Sequence, residues 1–93
     1  MKIAVVDDSI EDAQRIVQYL EQFQAEHNQT FQTKVFYASF DFLEEYRGDY
    51  DVVFLDIEMP GSNGLEVAHE IRSRDASVGI LFVTSMAQYA ING

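Results

Sequence analysis

The sequence has 93 residues, of which 47% are hydrophobic, and it contains no cysteine. A chain of this length and composition is expected to form one globular domain with a single core, without disulfides or thiolate metal sites. Acidic residues outnumber basic ones by 16 to 6, and the resulting formal charge of −10 disfavours direct binding to nucleic-acid phosphates and favours cations or basic partner surfaces.

The first strand and helix are predicted at the amino terminus. A short β-branched run from Ile3 to Val6 predicts a buried strand, which ends at Asp7 and Asp8. Ser9 can then cap a helix, because apolar residues recur at helical spacing from Ile10 to about Glu26. The polar letters HNQT end this pattern, so the helix is expected to stop before them.

A second strand and a short helix follow. Alternating residues predict a strand from Gln32 to Ala38. Ser39 is a plausible cap for the next helix, in which Phe42 and Tyr46 share one face. Gly48 is expected to end that helix, since glycine readily adopts the left-handed conformation found there.

The second half repeats the alternation of strand and helix. Val52 to Asp56 predicts a third strand, apolar along its length and therefore covered on both faces. Residues 58–63 are expected to form a loop, and helical spacing resumes from residue 64 or 65 to about residue 75. Gly79 to Thr84 predicts a fourth strand, and Ala87 to Ile91 has the pattern of the first turn of a fourth helix.

Strands that alternate with helices predict a mainly parallel α/β sheet with right-handed crossovers, whose ligands bind beyond the carboxyl ends of the strands. Asp7 and Asp8 follow the first strand, Asp56 ends the third, and Thr84 and Ser85 end the fourth. If the first and third strands are neighbours, three carboxylates converge, and such like charges raise one another's pKa or require a cation, of which Mg²⁺ is the natural choice. Any one of these groups alone would be interpreted as a helix cap or a turn acceptor.

Three separated motifs resemble the receiver domain of bacterial two-component response regulators. IAVVDDS is similar to the family's first strand with its acidic pair, LDIEMPGSNG to its phosphoacceptor loop, and ILFVTS to its fourth strand with a switch hydroxyl. The tail SMAQYAING is similar to receivers that carry a LytTR-type DNA-binding domain. The resemblance implies a flavodoxin-like doubly wound parallel sheet of order 2-1-3-4 over residues 1–93, lacking the family's fifth strand and fifth helix. Gly64 would permit the turn into the third helix.

The resemblance also implies a role for each site residue. Asp56 would be the phosphoacceptor for a sensor histidine kinase, so that the domain takes part in its own phosphorylation without being an enzyme. Asp7, Asp8, Asp56 and the backbone carbonyl of Glu58 would bind Mg²⁺. The Thr84 hydroxyl would act as the switch group, and transcription would be controlled through an effector domain that the chain lacks.

The remaining expectations concern location, partners and self-association. A cytoplasmic protein is expected that neither contacts a membrane nor binds nucleic acid itself. The family's phosphoryl-binding lysine has no counterpart, because the only lysines are Lys2 and Lys34, so slow or absent phosphorylation is expected. An exposed sheet edge at the fourth strand, or the segment Ala87–Ile91, is expected to make the chain self-associate.

Two other functions remain open at this point. A haloacid dehalogenase-like aspartyl phosphatase also places a nucleophilic aspartate after a hydrophobic strand, with an acid two residues later, as Glu58 follows Asp56. The motif of those enzymes, however, has aspartate at that position and Thr or Val at the place of Pro60. A pseudo-receiver scaffold that is never phosphorylated is the second alternative, and the intact acidic triad argues against it.

Overall fold

A computed structural model describes residues 1–59 and 62–83 of the chain. Four strands of five residues, two strands of two residues and three helices make up this part of the chain. In chain order they are β1 (Lys2–Val6), α1 (Ile10–His27), β2 (Gln32–Phe36), α2 (Ser39–Glu45), β3 (Val52–Asp56), β4 (Glu58–Met59), β5 (Ser62–Asn63), α3 (Gly64–Arg74) and β6 (Gly79–Val83).

The four longer strands form one parallel sheet in the order β2-β1-β3-β6. This confirms the predicted order 2-1-3-4, in which β6 is the predicted fourth strand. In the register of the central pair, Val6 lies beside Leu55. In the next pair, Asp56 lies beside Val83. The carboxyl ends of β1, β3 and β6 therefore finish side by side at one edge of the sheet.

The main core lies between the sheet and the two helices α2 and α3. Val53 and Leu55 on β3 are completely buried there, as is Phe42 on α2. The ring of Phe42 contacts Phe36 edge-on, with 5.2 Å between the ring centroids. Aromatic contacts of this geometry are worth about 0.5–1.5 kcal/mol beyond the area they bury. The buried cluster comprises Ala4, Val6, Phe36, Phe42, Tyr46, Tyr50, Val53, Leu55, Val67, Ala68, Ile71 and Val78.

The opposite face of the sheet is covered less completely, by α1. The alternate residues Val52 and Phe54 of β3 are only half-buried, so the prediction that this strand is covered on both faces is correct for one face. Leu81 on β6 is 52% exposed. An apolar groove of about 360 Å³ remains between α1 and β6, lined by Met1, Ile3, Tyr19, Leu20, Phe23, Phe31, Val52, Phe54 and Leu81. None of the described helices is long and apolar enough to cross a membrane.

Several local predictions need correction. Ser39 is the first residue of α2 and Ala38 is its N-cap, so the predicted capping by Ser39 is wrong. The helix ends at Glu45, before Gly48, although Gly48 does adopt a left-handed conformation with φ +75°. Part of the predicted loop forms a small antiparallel ladder, in which β4 pairs with β5. The predicted fourth-helix segment Ala87–Ile91 lies outside the described residues.

A polar contact joins α2 to the segment between α3 and β6. The Tyr46 hydroxyl donates to Asp75 Oδ2 at 2.7 Å, and the Ser77 backbone N–H and hydroxyl both donate to Asp75 Oδ1. The Tyr46 hydrogen bond and then those from Ser77 lower the pKa of Asp75 to about 2. We call this group of three residues the Asp75 clasp. It lies at the amino-terminal edge of the sheet, opposite the strand ends that carry Asp7 and Asp56.

The Asp75 clasp predicts that Tyr46→Phe lowers the free energy of unfolding. Because Tyr46 is buried and donates to a carboxylate, losing its hydroxyl should reduce the free energy of unfolding by about 1 kcal/mol at pH 7 in urea denaturation. The pKa of Asp75 is lower in the folded state than the unfolded value of 3.8, so the clasp stabilises above that pH and its contribution is lost as pH falls toward 2. The difference between the two proteins should therefore shrink over that window.

Tyr19→Phe provides the matched control, since this tyrosine is 68% exposed on α1. It should leave the stability unchanged at every pH. An equal effect of the two substitutions at pH 7 would contradict the assignment of the cost to the clasp.

Candidate functional site

The ends of β1 and β3 bring two aspartates together. The last residues in register across this pair are Val6 and Leu55, and the next residue of each strand is an aspartate. The Asp7 backbone N–H donates to the Phe36 carbonyl at 3.0 Å, which extends the pairing with β2 by one residue. The backbone of Asp56 is still paired with β6. Sheet hydrogen bonds therefore place both acids at the same edge, next to each other.

Asp8 joins this pair to form a group of three carboxylates. One oxygen from each of Asp7, Asp8 and Asp56 lies within 4.8 Å of the other two. Asp7 is buried with 2% of its surface exposed, Asp56 is partly exposed and Asp8 is exposed. The group is thus buried on the side of Asp7 and open to solvent on the side of Asp8, so a small ion or a transferred group could reach it.

Burial and mutual repulsion disfavour ionisation of this group. Burial, followed by the charge of Asp7, raises the pKa of Asp56 to about 7, although the Glu58 N–H opposes the shift. Burial likewise raises the pKa of Asp7, with further contributions from the charges of Asp12 and Asp8, against a hydrogen bond from the Ser9 N–H. A divalent cation would relieve this repulsion, and three clustered carboxylate oxygens are ligands that suit Mg²⁺.

Gly64 allows α3 to begin directly against the end of β3. A Cβ atom at this position would lie 2.2 Å from the Asp56 carbonyl oxygen and 2.8 Å from the Ile57 Cα, distances at which backbone must move. The Gly64 N–H also donates to the Ile57 carbonyl at 2.8 Å. Gly64 does not have a positive φ. Glycine is thus required here for close approach of two backbone segments, whereas the sequence interpretation attributed it to a turn.

Of the remaining predicted site residues, the structure describes Glu58 but not Thr84 or Ser85. The Glu58 backbone N–H donates to Asp56 Oδ1 at 3.3 Å, and its side chain is exposed. Thr84 and Ser85 lie outside the described residues. The Ile57 N–H donates to the Val83 carbonyl at 3.1 Å, so the segment after Asp56 is tied to the residue that precedes Thr84.

One contributor was missed from the sequence. The Ser9 N–H donates to Asp7 Oδ1 at 2.9 Å, in addition to the capping role predicted for the Ser9 side chain. The available signal was its spacing, because an aspartate often accepts a hydrogen bond from the backbone N–H two residues later.

Comparisons with known protein sequences agree with this geometry. A family model described as the response regulator receiver domain matches residues 3–92. The chain is 29% identical over 96 residues to the transcriptional regulatory protein NatR of Bacillus subtilis, an alignment that covers 99% of this chain and 38% of NatR. A 43-residue alignment to the sensory transduction protein LytT of Oceanobacillus iheyensis has 46% identity and covers 44% of this chain and 18% of LytT. The chain thus spans less than half the length of these relatives.

Solved structures show the same similarity. The response regulator protein TrrA from Thermotoga maritima, in complex with Mg²⁺-BeF, superposes with a TM-score of 0.70 and 34% identity, covering 98% of this chain and 75% of that one. TrrA in complex with the histidine kinase ThkA gives a TM-score of 0.62 and 35% identity, covering 90% of this chain and 68% of that one.

The raised pKa of Asp56 predicts that Asp56→Asn stabilises the metal-free protein at alkaline pH. The pKa of Asp56 is about 7 when folded and 3.8 when unfolded, so the native state is stabilised by the bound proton and loses that stability as pH rises from about 4 to 7. After a discount for solvent screening at this partly exposed group, Asp56→Asn should gain about 2 kcal/mol at pH 8 and little at pH 4. Urea denaturation with a chelator present measures both values.

Asp41→Asn is the control, because this exposed aspartate in the first turn of α2 is not part of the carboxylate cluster. It should show no comparable gain at pH 8. Saturating Mg²⁺ should remove the advantage of Asp56→Asn by stabilising the wild type. A variant that is less stable than the wild type at pH 8 without metal would refute the repulsion among the three acids.

Proposed function

This chain belongs to the response regulator receiver domain family, and on that basis we propose that it is a phosphoacceptor signalling domain whose Asp56 is phosphorylated by a histidine kinase. The observation that supports the proposal most directly is the group of carboxylates at the ends of β1 and β3. Asp7, Asp8 and Asp56 each contribute an oxygen to one cluster no wider than 4.8 Å. A buried acid beside an accessible one suits a site that must hold a cation and also present a nucleophile.

In the proposed reaction, one carboxylate oxygen of Asp56 attacks the phosphorus of a phosphohistidine. The new O–P bond forms as the P–N bond breaks, and the histidine imidazole leaves, so the product is an acyl phosphate on Asp56. Asp56 must be ionised to act, and because its pKa is raised, a nearby counter-charge would favour the ionised form. Asp7, Asp8, Asp56 and the Glu58 carbonyl would hold Mg²⁺, which when bound neutralises negative charge on the transferring group.

The chain's own backbone prepares Asp56 for this role. The Glu58 N–H binds Oδ1 at 3.3 Å, which restricts rotation of the carboxylate. The Ile57 hydrogen bond to the Val83 carbonyl connects the same segment to the end of β6. We infer that the Thr84 hydroxyl, one residue further, responds to the phosphoryl group and transmits its presence to partner surfaces.

The proposed output is regulation of transcription through a separate effector domain. NatR is named as a transcriptional regulatory protein, and this chain aligns with 38% of it. TrrA has been solved with the kinase ThkA, which supports a sensor histidine kinase as the partner of this chain too.

Phosphorylation by a small-molecule donor tests the proposal. Incubation with Mg²⁺ and acetyl phosphate should add one phosphoryl group to the wild type, detected by intact-mass spectrometry, and Asp56→Asn should reduce the modified fraction at least tenfold.

Asp41→Asn should be modified at the wild-type rate, because this acid is not part of the cluster formed by Asp7, Asp8 and Asp56. Multiple turnover of phosphate esters would instead indicate an aspartyl phosphatase. Failure to bind Mg²⁺ or beryllofluoride would indicate a scaffold that is not phosphorylated.

We further propose that the 93-residue chain self-associates through β6. Among the described residues this strand pairs on one side only, with β3. Leu81 on one face and Phe82 on the other are 52% and 45% exposed, so apolar side chains flank the strand on both sides. A second copy pairing with β6 would cover its unpaired backbone edge, and apolar side chains on either face, together with the groove between α1 and β6, would add apolar area to the contact.

Sedimentation velocity at moderate salt, where the net charge of −10 is screened, tests this association. The wild type should show a concentration-dependent dimer, and Leu81→Glu should shift it to a monomer at the same concentration. Phe40→Glu is the matched control, because Phe40 is 71% exposed on α2 and should leave the dimer unchanged. A folded wild-type monomer at high concentration would end the proposal.

A further inference from the structure

Ser9 makes three hydrogen bonds that join the first turn of α1 to the buried acid of the site. Its carbonyl accepts from the Ala13 N–H at 3.0 Å and its hydroxyl accepts from the Asp12 N–H at 3.3 Å. Its own N–H donates to Asp7 Oδ1 at 2.9 Å. Ser9 is the N-cap of the helix, with an extended backbone at φ −90° and ψ 118°. One residue therefore both begins the helix and holds the carboxylate of Asp7.

The two bonds to the helix determine where the Ser9 N–H points. A capping side chain holds its residue in the extended conformation while the helix continues on its C-terminal side. In that conformation the Ser9 N–H faces back toward Asp7, two residues earlier. Asp7 is buried, so its carboxylate cannot exchange this partner freely for water. The Ser9 hydrogen bond therefore restricts rotation of a carboxylate that also contributes an oxygen to the cluster with Asp8 and Asp56.

Asp56 has a similar but weaker arrangement. Its Oδ1 accepts from the N–H two residues later, that of Glu58, at 3.3 Å compared with 2.9 Å for Asp7. Glu58 belongs to the two-residue strand β4, whereas Ser9 is anchored to a helix of 18 residues. The cluster thus combines a firmly held carboxylate with a more loosely held one. This difference suits a fixed cation ligand beside a group that must change its bonding during reaction.

We propose that Ser9 is a positioning residue, whose capping hydroxyl orients the Asp7 carboxylate for cation binding. The inference rests on the proposed Mg²⁺ site and adds to it a residue that does not touch the ion. Positioning groups around metal ligands commonly change metal affinity by ~10–100-fold when removed. Here the N–H remains after loss of the hydroxyl and only its orientation is released, so a smaller effect is expected.

Calorimetric titration of the full chain with Mg²⁺ alone tests the role of Ser9. Ser9→Ala should raise the Mg²⁺ dissociation constant about fivefold, and Ser9→Thr should restore it, because threonine also caps helices through a hydroxyl. Ala25→Gly is the control for helix stability, since this exposed residue lies in the second half of α1 and its replacement weakens the helix without touching the cap.

The outcomes separate this inference from the function on which it rests. Weaker Mg²⁺ binding by Ser9→Ala, together with wild-type Mg²⁺ affinity in Ser9→Thr and Ala25→Gly, supports positioning by the cap. Wild-type affinity in Ser9→Ala, or an equal loss in Ala25→Gly, would overturn the inference and leave the Mg²⁺ site intact. A wild type that fails to bind Mg²⁺ would instead refute the metal site itself, and the role of Ser9 with it.

Discussion

The repulsion between Asp7 and Asp56 is the constraint around which this molecule is organised. Parallel pairing of β1 with β3 brings the two carboxylates to adjacent strand ends, and burial denies Asp7 the water that would screen its charge. The sheet cannot relax this conflict by moving one strand, because each is hydrogen-bonded on both sides and packed on a buried core. A bound proton or a bound cation would relieve this repulsion.

The rest of the site can be understood as support for these two acids. Gly64 lets α3 start against the Asp56 backbone, and the Ser9 and Glu58 N–H groups each hold one carboxylate oxygen. None of these three contributions depends on a charged side chain. In all three contributions, backbone groups supply the orientation of the acids.

The fold and the central acids were predictable because their signals are local and strong. Alternating strand and helix patterns located all four longer strands, and an acid directly after an apolar run placed Asp7 and Asp56 at the ends of their strands. Ser39 was assigned wrongly because a serine before a helical pattern fits the N-cap or the first turn equally well, and here Ala38 takes the cap. The uneven covering of β3 was missed because the sequence shows that a residue is apolar but not how completely a helix covers it. The close approach at Gly64 depends on two segments meeting in space, which no local pattern encodes.

The Asp75 clasp lies at the edge of the sheet opposite the acidic cluster, some distance from any group proposed to react. A protein engineer could therefore adjust the stability of this domain to heat or acid by changing residues at the amino-terminal edge of the sheet. The acidic cluster at the opposite edge of the sheet would remain unchanged. Such a separation makes the domain a convenient component for synthetic signalling circuits, in which durability and responsiveness have to be set independently.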